Sequence, residues 1–234
     1  MFFCLPLRVG QSRDDNITPV ANAVLVATNI LVFLFSETVL WRSYLIFNTI
    51  TYSFVHVGFW HLFCNIWALW IFGNRLNRRL GNFWYPVVYL GTSIIIGVLL
   101  RLLLRFEVFG ASGCIFAVIT VCLILMPGIM IEVLCVALFP LSLLVSIFSK
   151  PNYWADWLVR FGRFRIKALW CLFILPVLGV LSLLLWGWNW ANLGHLLGLA
   201  CGVGAVLMLP ECISIRQRPK HKQLLYGLAW KDRI

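Results

Sequence analysis

Residues 166–186 read IKALWCLFILPVLGVLSLLLW, and beyond Lys167 the stretch carries no charge as far as Trp186. A helix of that length rises about 30 Å, which matches the hydrocarbon core of a bilayer. Being apolar on every side, it has no face to offer to water. Comparable runs recur on both sides of it: Thr18–Phe35, His61 to about Leu76, Phe83–Leu104, Ser112–Met126 and Ala191–Leu209. Thr18-Pro19 is a helix-start signal, and Pro127-Gly128 is a stop. Arg105 and Glu107 close the third run. Glu37–Trp60 is rich in aromatics and hydroxyls and too polar to cross. With 62% of residues hydrophobic and 12% charged, an ordinary soluble domain is excluded.

The hydrophobic segment at 131–148 decides the topology. Counted as a span it makes seven, and the basic stretch Lys150–Lys167 then falls on the outer side. Basic loops belong inside, so this segment is expected to begin and end on one face, as an interfacial or re-entrant element. The expected fold class is therefore all-α, a polytopic membrane bundle of six transmembrane helices. Residues 1–16 form a cytoplasmic N-terminal segment, 17–209 the membrane domain and 210–234 a basic cytoplasmic tail. Met1–Leu7 is apolar but short, and Arg8, Arg13, Asp14 and Asp15 follow it, so no cleavable signal is read and the first span inserts the chain. A bacterial plasma membrane is the simplest location.

The net charge of +11 does not indicate nucleic acid, because the basic residues are dispersed. They collect at Arg75/Arg78/Arg79, at Lys150–Lys167 and at Arg216–Lys222, whereas nucleic-acid binding needs a continuous basic surface. The partners expected are lipid and other membrane proteins. The eight cysteines show no CxxC spacing, so neither a zinc site nor a disulfide framework is expected. No cofactor and no metal are implied.

Polar groups inside spans are costly and mark candidate sites. His61 and Asn65 are four residues apart on the second span and share a helix face. The fourth span opens with Gly110-Ala-Ser112-Gly113. On the last, His195, Gly198 and Gly202 share a face at i, i+3 and i+7. With six spans, the second, fourth and sixth all enter from the outer side. His61 follows Trp60, Ser112 comes five residues after Glu107 and His195 five after Trp190, which sets all three within roughly 10 Å of the outer interface. A seventh span would carry His195 to the opposite side from Ser112.

A serine hydroxyl needs a base within hydrogen-bond reach, and His195 is the candidate. The glycine face of the last helix permits close approach to the fourth, with Gly113 as a matching small surface. His61 and Asn65 can offer side-chain donors to an oxyanion, and the Ser112 N–H a third. No Asp or Glu lies in the spans, so a Ser–His dyad is implied. Taken singly these residues have plainer readings. Ser112 reads as a packing residue, His195 as an interhelical hydrogen-bond partner and Asn65 as interhelical glue. Their joint occurrence at one depth lowers the weight of all three.

The ordered set HxxxN, GASG and HxxGxxxG on alternate spans resembles the rhomboid intramembrane serine proteases. The first span PVANAVLVATNILVFLF, His56 five residues before His61, and LWIFGNRLNRRLG leading out of the second span also resemble that family. The resemblance covers roughly residues 17–209. It implies a six-helix bundle that cleaves transmembrane segments of other proteins, single-pass ones in the simplest case. Ser112 would be nucleophile and His195 base, with His61, Asn65 and the Ser112 amide forming the oxyanion hole. His56 would support the site, and Phe116 would pack on the base. Gly110, Gly113, Gly198 and Gly202 would permit the close approaches. Three departures stand beside this. Phe47-Asn48 replaces a Trp-Arg pair, with Trp41-Arg42 nearby out of register. Asn77 stands where an acidic residue is common. Residues from about Leu143 to Arg165 resemble an insertion before the fifth helix. A catalytically inactive rhomboid-like client-binding or quality-control factor is the alternative. A transporter or a metal- or haem-binding protein using His56, His61 and His195 is a third reading.

Overall fold

The computed structural model describes residues 2–10, 17–35, 49–104, 109–138, 159–186 and 190–210. A short strand, β1 (Phe2–Val9), precedes helix α1 (Val20–Phe35). A 3-10 turn at Thr51–Phe54 leads to α2 (Phe59–Ala68). From there a π turn, Leu69–Gly73, runs directly into α3 (Asn74–Leu104). At Gly81 the backbone takes φ 84° and ψ 172°, a conformation that suits glycine alone, and the chain turns back. One continuous arm therefore runs from Phe59 to Leu80 and a second returns from Asn82. The outward arm extends past the expected end near Leu76, because Arg75, Arg78 and Arg79 are good helix formers and the first break is glycine.

α4 (Ser112–Leu125), α5 (Ala168–Trp186) and α6 (Trp190–Met208) complete the helices among the described residues. α4 is apolar all round and occupies the centre. Ala117, Val118, Val121 and Cys122 are fully buried, packed among α3, α5 and α6. α5 is its opposite. Phe173, Val177 and Leu184 are each more than 60% exposed, which in water would be a severe apolar patch and in lipid is an ordinary helix face. Among the described residues, three helical stretches are long and apolar enough to cross a membrane: Phe59–Arg101, itself turned back at Gly81, Ala168–Leu185 and Ala191–Met208. Val20–Phe35 and Ser112–Leu125 are shorter apolar helices. The architecture is that of an integral membrane helical bundle.

A buried polar cluster ties α1 to the outward arm. Asn22 is fully buried and donates to the Leu69 carbonyl at 2.9 Å and to Asn74 Oδ1 at 2.8 Å, while its own Oδ1 accepts from Tyr85 Oη. The wider π turn accommodates this side chain, since α-carbon spacing there no longer closes every i→i−4 bond. Asn77 accepts the Asn22 backbone N–H at 2.9 Å and donates to Asn82 Oδ1 at 3.0 Å, so it caps the first turn of α1. A carboxylate at position 77 could make the first bond and not the second. The departure from an acidic residue at Asn77 is thus matched by Asn82.

The chain is not all-α. β1 pairs antiparallel with β2 (Met130–Leu138), which pairs antiparallel with β3 (Val159–Lys167) in a three-stranded sheet ordered β1-β2-β3. The first part of the 131–148 segment, expected to be an interfacial or re-entrant element, is therefore a strand. Glu132 lies in register between Arg8 and Arg165, an opposite-charge arrangement that suits neighbouring strands. The excursion nevertheless starts and ends in one place. The Ala168 N–H donates to the Ile129 carbonyl at 2.9 Å and the Leu169 N–H to that of Pro127 at 3.2 Å, joining the end of α4 to the start of α5. Cys135 is disulfide-bonded, and the register sets Cys4 opposite it. Residues 139–148, Lys150, Glu37, Trp41-Arg42, Phe47-Asn48, Arg105, Glu107, the side chains of Trp186, Trp188 and Trp190, and the tail from 211 lie outside the described residues.

Candidate active site

The polar stretch before α2 is held from both sides by Tyr52. Its hydroxyl donates to the Ser93 carbonyl at 2.9 Å, and its own carbonyl accepts from the Gly110 N–H at 2.9 Å. Gly97 lets the ring in, since a Cβ there would lie 2.7 Å from Tyr52 Cε1. This strap fixes the approach to α2 against the loop that leads into α4. Sequence patterning does not single out Tyr52, whose only mark is a hydroxyl-bearing aromatic four residues before His56.

His56 is 3% exposed and donates from Nδ1 to the Phe54 carbonyl at 3.1 Å. Burial pushes its pKa down to about 4, against a smaller upward pull from that carbonyl, so the ring is neutral near pH 7. It meets His61 edge-on, with ring centroids 5.1 Å apart. Gly110 presses on the other side of His61: its φ is +105°, and a Cβ there would come within 2.8 Å of His61 Cε1. One turn further along α2, Asn65 is 6% exposed, and its Nδ2 has no hydrogen-bond partner among the described residues.

Ser112 is the first residue of α4, where backbone N–H groups have no intrahelical acceptor. Phe116, one turn on, stacks on His195 of α6 with centroids 4.3 Å apart and planes 18° from parallel. The two helices touch backbone to backbone. A Cβ on Gly198 would strike the Gly113 oxygen, and one on Gly202 would lie 2.6 Å from Thr120 Cβ. A Cβ on Gly113 would meet the Gly194 oxygen and Ile96 Cδ1, each at 3.3 Å. Three glycines thus set the separation of the elements that carry Ser112 and His195.

These groups surround one cavity of about 900 Å³. His61, Asn65, Gly110, Ser112, Phe116 and His195 line one part, and apolar side chains such as Phe72 and Leu123 line the rest. His56 touches the site through His61, while Gly198 and Gly202 lie outside the lining at the helix contact. No carboxylate is among the described lining residues, and no cluster of metal-binding side chains is found among the described residues. A hydroxyl, an imidazole and unpaired N–H donors in an apolar chamber can bind and polarise a carbonyl group.

The family model for the Rhomboid domain matches residues 37–211, from the stretch before α2 to the end of α6. A Bacillus subtilis (strain 168) protein named "Putative rhomboid protease YdcA" is 32% identical over 115 residues, which covers 42% of this chain and 58% of the relative. The match thus spans less than two thirds of that protein. With the family match covering more than half of its length, this chain belongs to the rhomboid family.

Proposed function

We propose that this protein is an intramembrane serine endopeptidase in which Ser112 is the nucleophile and His195 the general base. The observation that carries the reading is the stacking of Phe116 on His195 one turn from Ser112, inside a cavity that also holds the unpartnered Nδ2 of Asn65. In the reaction, Ser112 Oγ attacks the scissile carbonyl and its proton passes to His195. The oxyanion accepts hydrogen bonds from Asn65 Nδ2, from His61 and from the Ser112 N–H. Collapse breaks the C–N bond as His195 returns the proton to the leaving amine, and water hydrolyses the acyl-enzyme by the same base. His56 holds His61 in place. No carboxylate among the described residues lines the cavity beside His195, so the stacked Phe116 fixes its plane.

In this reading the arms 20–35, 59–80, 82–104, 112–125, 168–186 and 190–208 serve as six membrane crossings, with the β2–β3 excursion starting and finishing on one face. α4 has 14 residues, which give about 21 Å against the roughly 30 Å of the hydrocarbon core. Ser112 is therefore submerged and reached by water from the outer side. Substrates are transmembrane segments, single-pass in the simplest case, that gain lateral access between the second and fifth crossings and unwind locally. Basic loops face the inner side, and the likeness to a Bacillus subtilis protein supports a bacterial plasma membrane as the location.

Cleavage of a reporter carrying one Gly-containing transmembrane segment tests the proposal. Purified wild type is expected to cut it, and Ser112→Ala and His195→Ala are expected not to while keeping the wild-type unfolding temperature. A folded wild type that cuts nothing favours the inactive client-binding reading.

A further inference from the structure

β1 is placed unlike a free N-terminal strand. One edge pairs with β2, and the Gly10 N–H continues the contact by donating to the Met130 carbonyl at 2.9 Å. The other edge faces the outward helical arm, where Trp67 Nε1 donates to the Pro6 carbonyl at 2.8 Å. Pro6 itself lines the cavity that holds Ser112 and His195, beside Ile131 and Val133 of β2 and Cys171 and Leu175 of α5. The strand thus lies between β2 and the outward arm, with Pro6 in the wall of the cavity. Its hold is uneven. Val9 is 7% exposed and seated against Ile131 in the core. The middle is weak, because Pro6 has no N–H to give and the pairing slips between Pro6 and Arg8.

We propose that β1 is a displaceable wall of the cavity, and that an extended apolar stretch of substrate takes its place along β2. The consequence for cleavage rests on the proteolytic reading, whereas the opening itself does not. A substrate segment that has lost its helical hydrogen bonds presents unpaired N–H and C=O groups, and the vacated edge of β2 satisfies them in the way β1 does. Residues with weak helix propensity fit such a segment best, as Pro6 does in the strand that precedes it.

The free thiols report on the wall without any need for catalysis. Cys171 lines the cavity and is half-buried, whereas Cys64 is exposed with β1 in place and serves as the accessible control, and Cys114 and Cys122 are buried outside the lining. The full-length protein is treated in detergent with a bulky fluorescein maleimide, and modification at each cysteine is followed by peptide mass spectrometry. Trp67→Phe keeps the ring beside Phe63 and removes the donor to Pro6, so Cys171 should react about fivefold faster relative to Cys64, the population shift expected from one hydrogen bond. Val9→Asp should give a larger increase by unseating the strand from the core. Cys114 and Cys122 should stay protected in both. An unchanged rate at Cys171 in the two variants overturns the proposal. If Val9→Asp also exposes Cys114 and Cys122, it has unfolded and Trp67→Phe alone decides. Loss of the proteolytic reading would show separately, as an unreactive Ser112 with the thiol rates still altered.

Discussion

Replacement of Gly198 by alanine tests whether the α4–α6 contact sets the catalytic geometry. A Cβ at 198 would lie 3.0 Å from the Gly113 carbonyl carbon and 3.0 Å from Phe116 Cβ, with the Gly113 oxygen closer still. Relaxed carbon contacts sit near 3.5–4.0 Å, so the helices must part by about 0.5–1 Å. Two of these atoms are backbone, and no rotamer change relieves them. Overpacking of this kind costs about 1–3 kcal/mol. His195 lies one turn before Gly198 and moves with the helix, and misplacement on the order of 1 Å can lower a rate about 100-fold. Gly204→Ala is the matched control: nothing lies within 4 Å of its added Cβ, and alanine favours a helix by up to about 1 kcal/mol. Unfolding temperature in detergent and the rate of reporter cleavage are measured for both. Gly198→Ala should be less stable and on the order of 100-fold slower, with Gly204→Ala equal to wild type or more stable. A Gly198→Ala protein with wild-type stability and rate would refute the claim that this contact sets the geometry.

Asn65→Ala removes the unpartnered donor, and cleavage should fall about 100- to 1,000-fold with reporter binding retained; equal losses in binding and turnover would instead mark Asn65 as a structural residue. Asn22→Ala leaves the Leu69 carbonyl, Asn74 and Tyr85 without their buried partner and should cost about 2–5 kcal/mol, while the folded fraction cleaves at the wild-type rate. His56 gives a pH dependence. Its pKa is about 4 in the fold against 6.5 for the ordinary group, so between those values the unfolded chain takes up a proton that the native protein excludes. Its contribution is full above about pH 6.5 and declines by about 3 kcal/mol as the pH falls to 4. Denaturant unfolding at pH 7.5 and 4.5 should show a steeper loss for wild type than for His56→Gln, and equal losses would contradict this.

The helices were legible because uncharged apolar runs of bilayer length fit poorly into any water-soluble fold, and the two breaks at Gly81 and Pro127 are written in the residue types. The candidate site was legible because His61 and Asn65, Ser112, and His195 with Gly198 and Gly202 each obey helical spacing. His61, Asn65, Ser112 and His195 line one cavity, an arrangement that fits alternate helices entering from one side. The sheet was harder to read. Ile131–Leu138 is a short apolar run, which periodicity alone does not separate from a buried helix. Arg163-Phe-Arg-Ile-Lys167 does alternate at period two, but its charge also suits a basic loop. β1 carries no local signal that pairs it with a strand more than a hundred residues away, because strand pairing is a property of tertiary contacts. The Asn22–Asn77–Asn82 cluster was likewise hidden, since each asparagine alone is an ordinary cap or turn residue.

Reaction of Ser112 with a fluorophosphonate probe tests the central claim most directly. Purified protein in detergent and in lipid is expected to be labelled at Ser112, with labelling lost in Ser112→Ala and in His195→Ala. A folded protein that stays unlabelled in both environments, or a His195→Ala variant labelled as fast as wild type, would contradict the account.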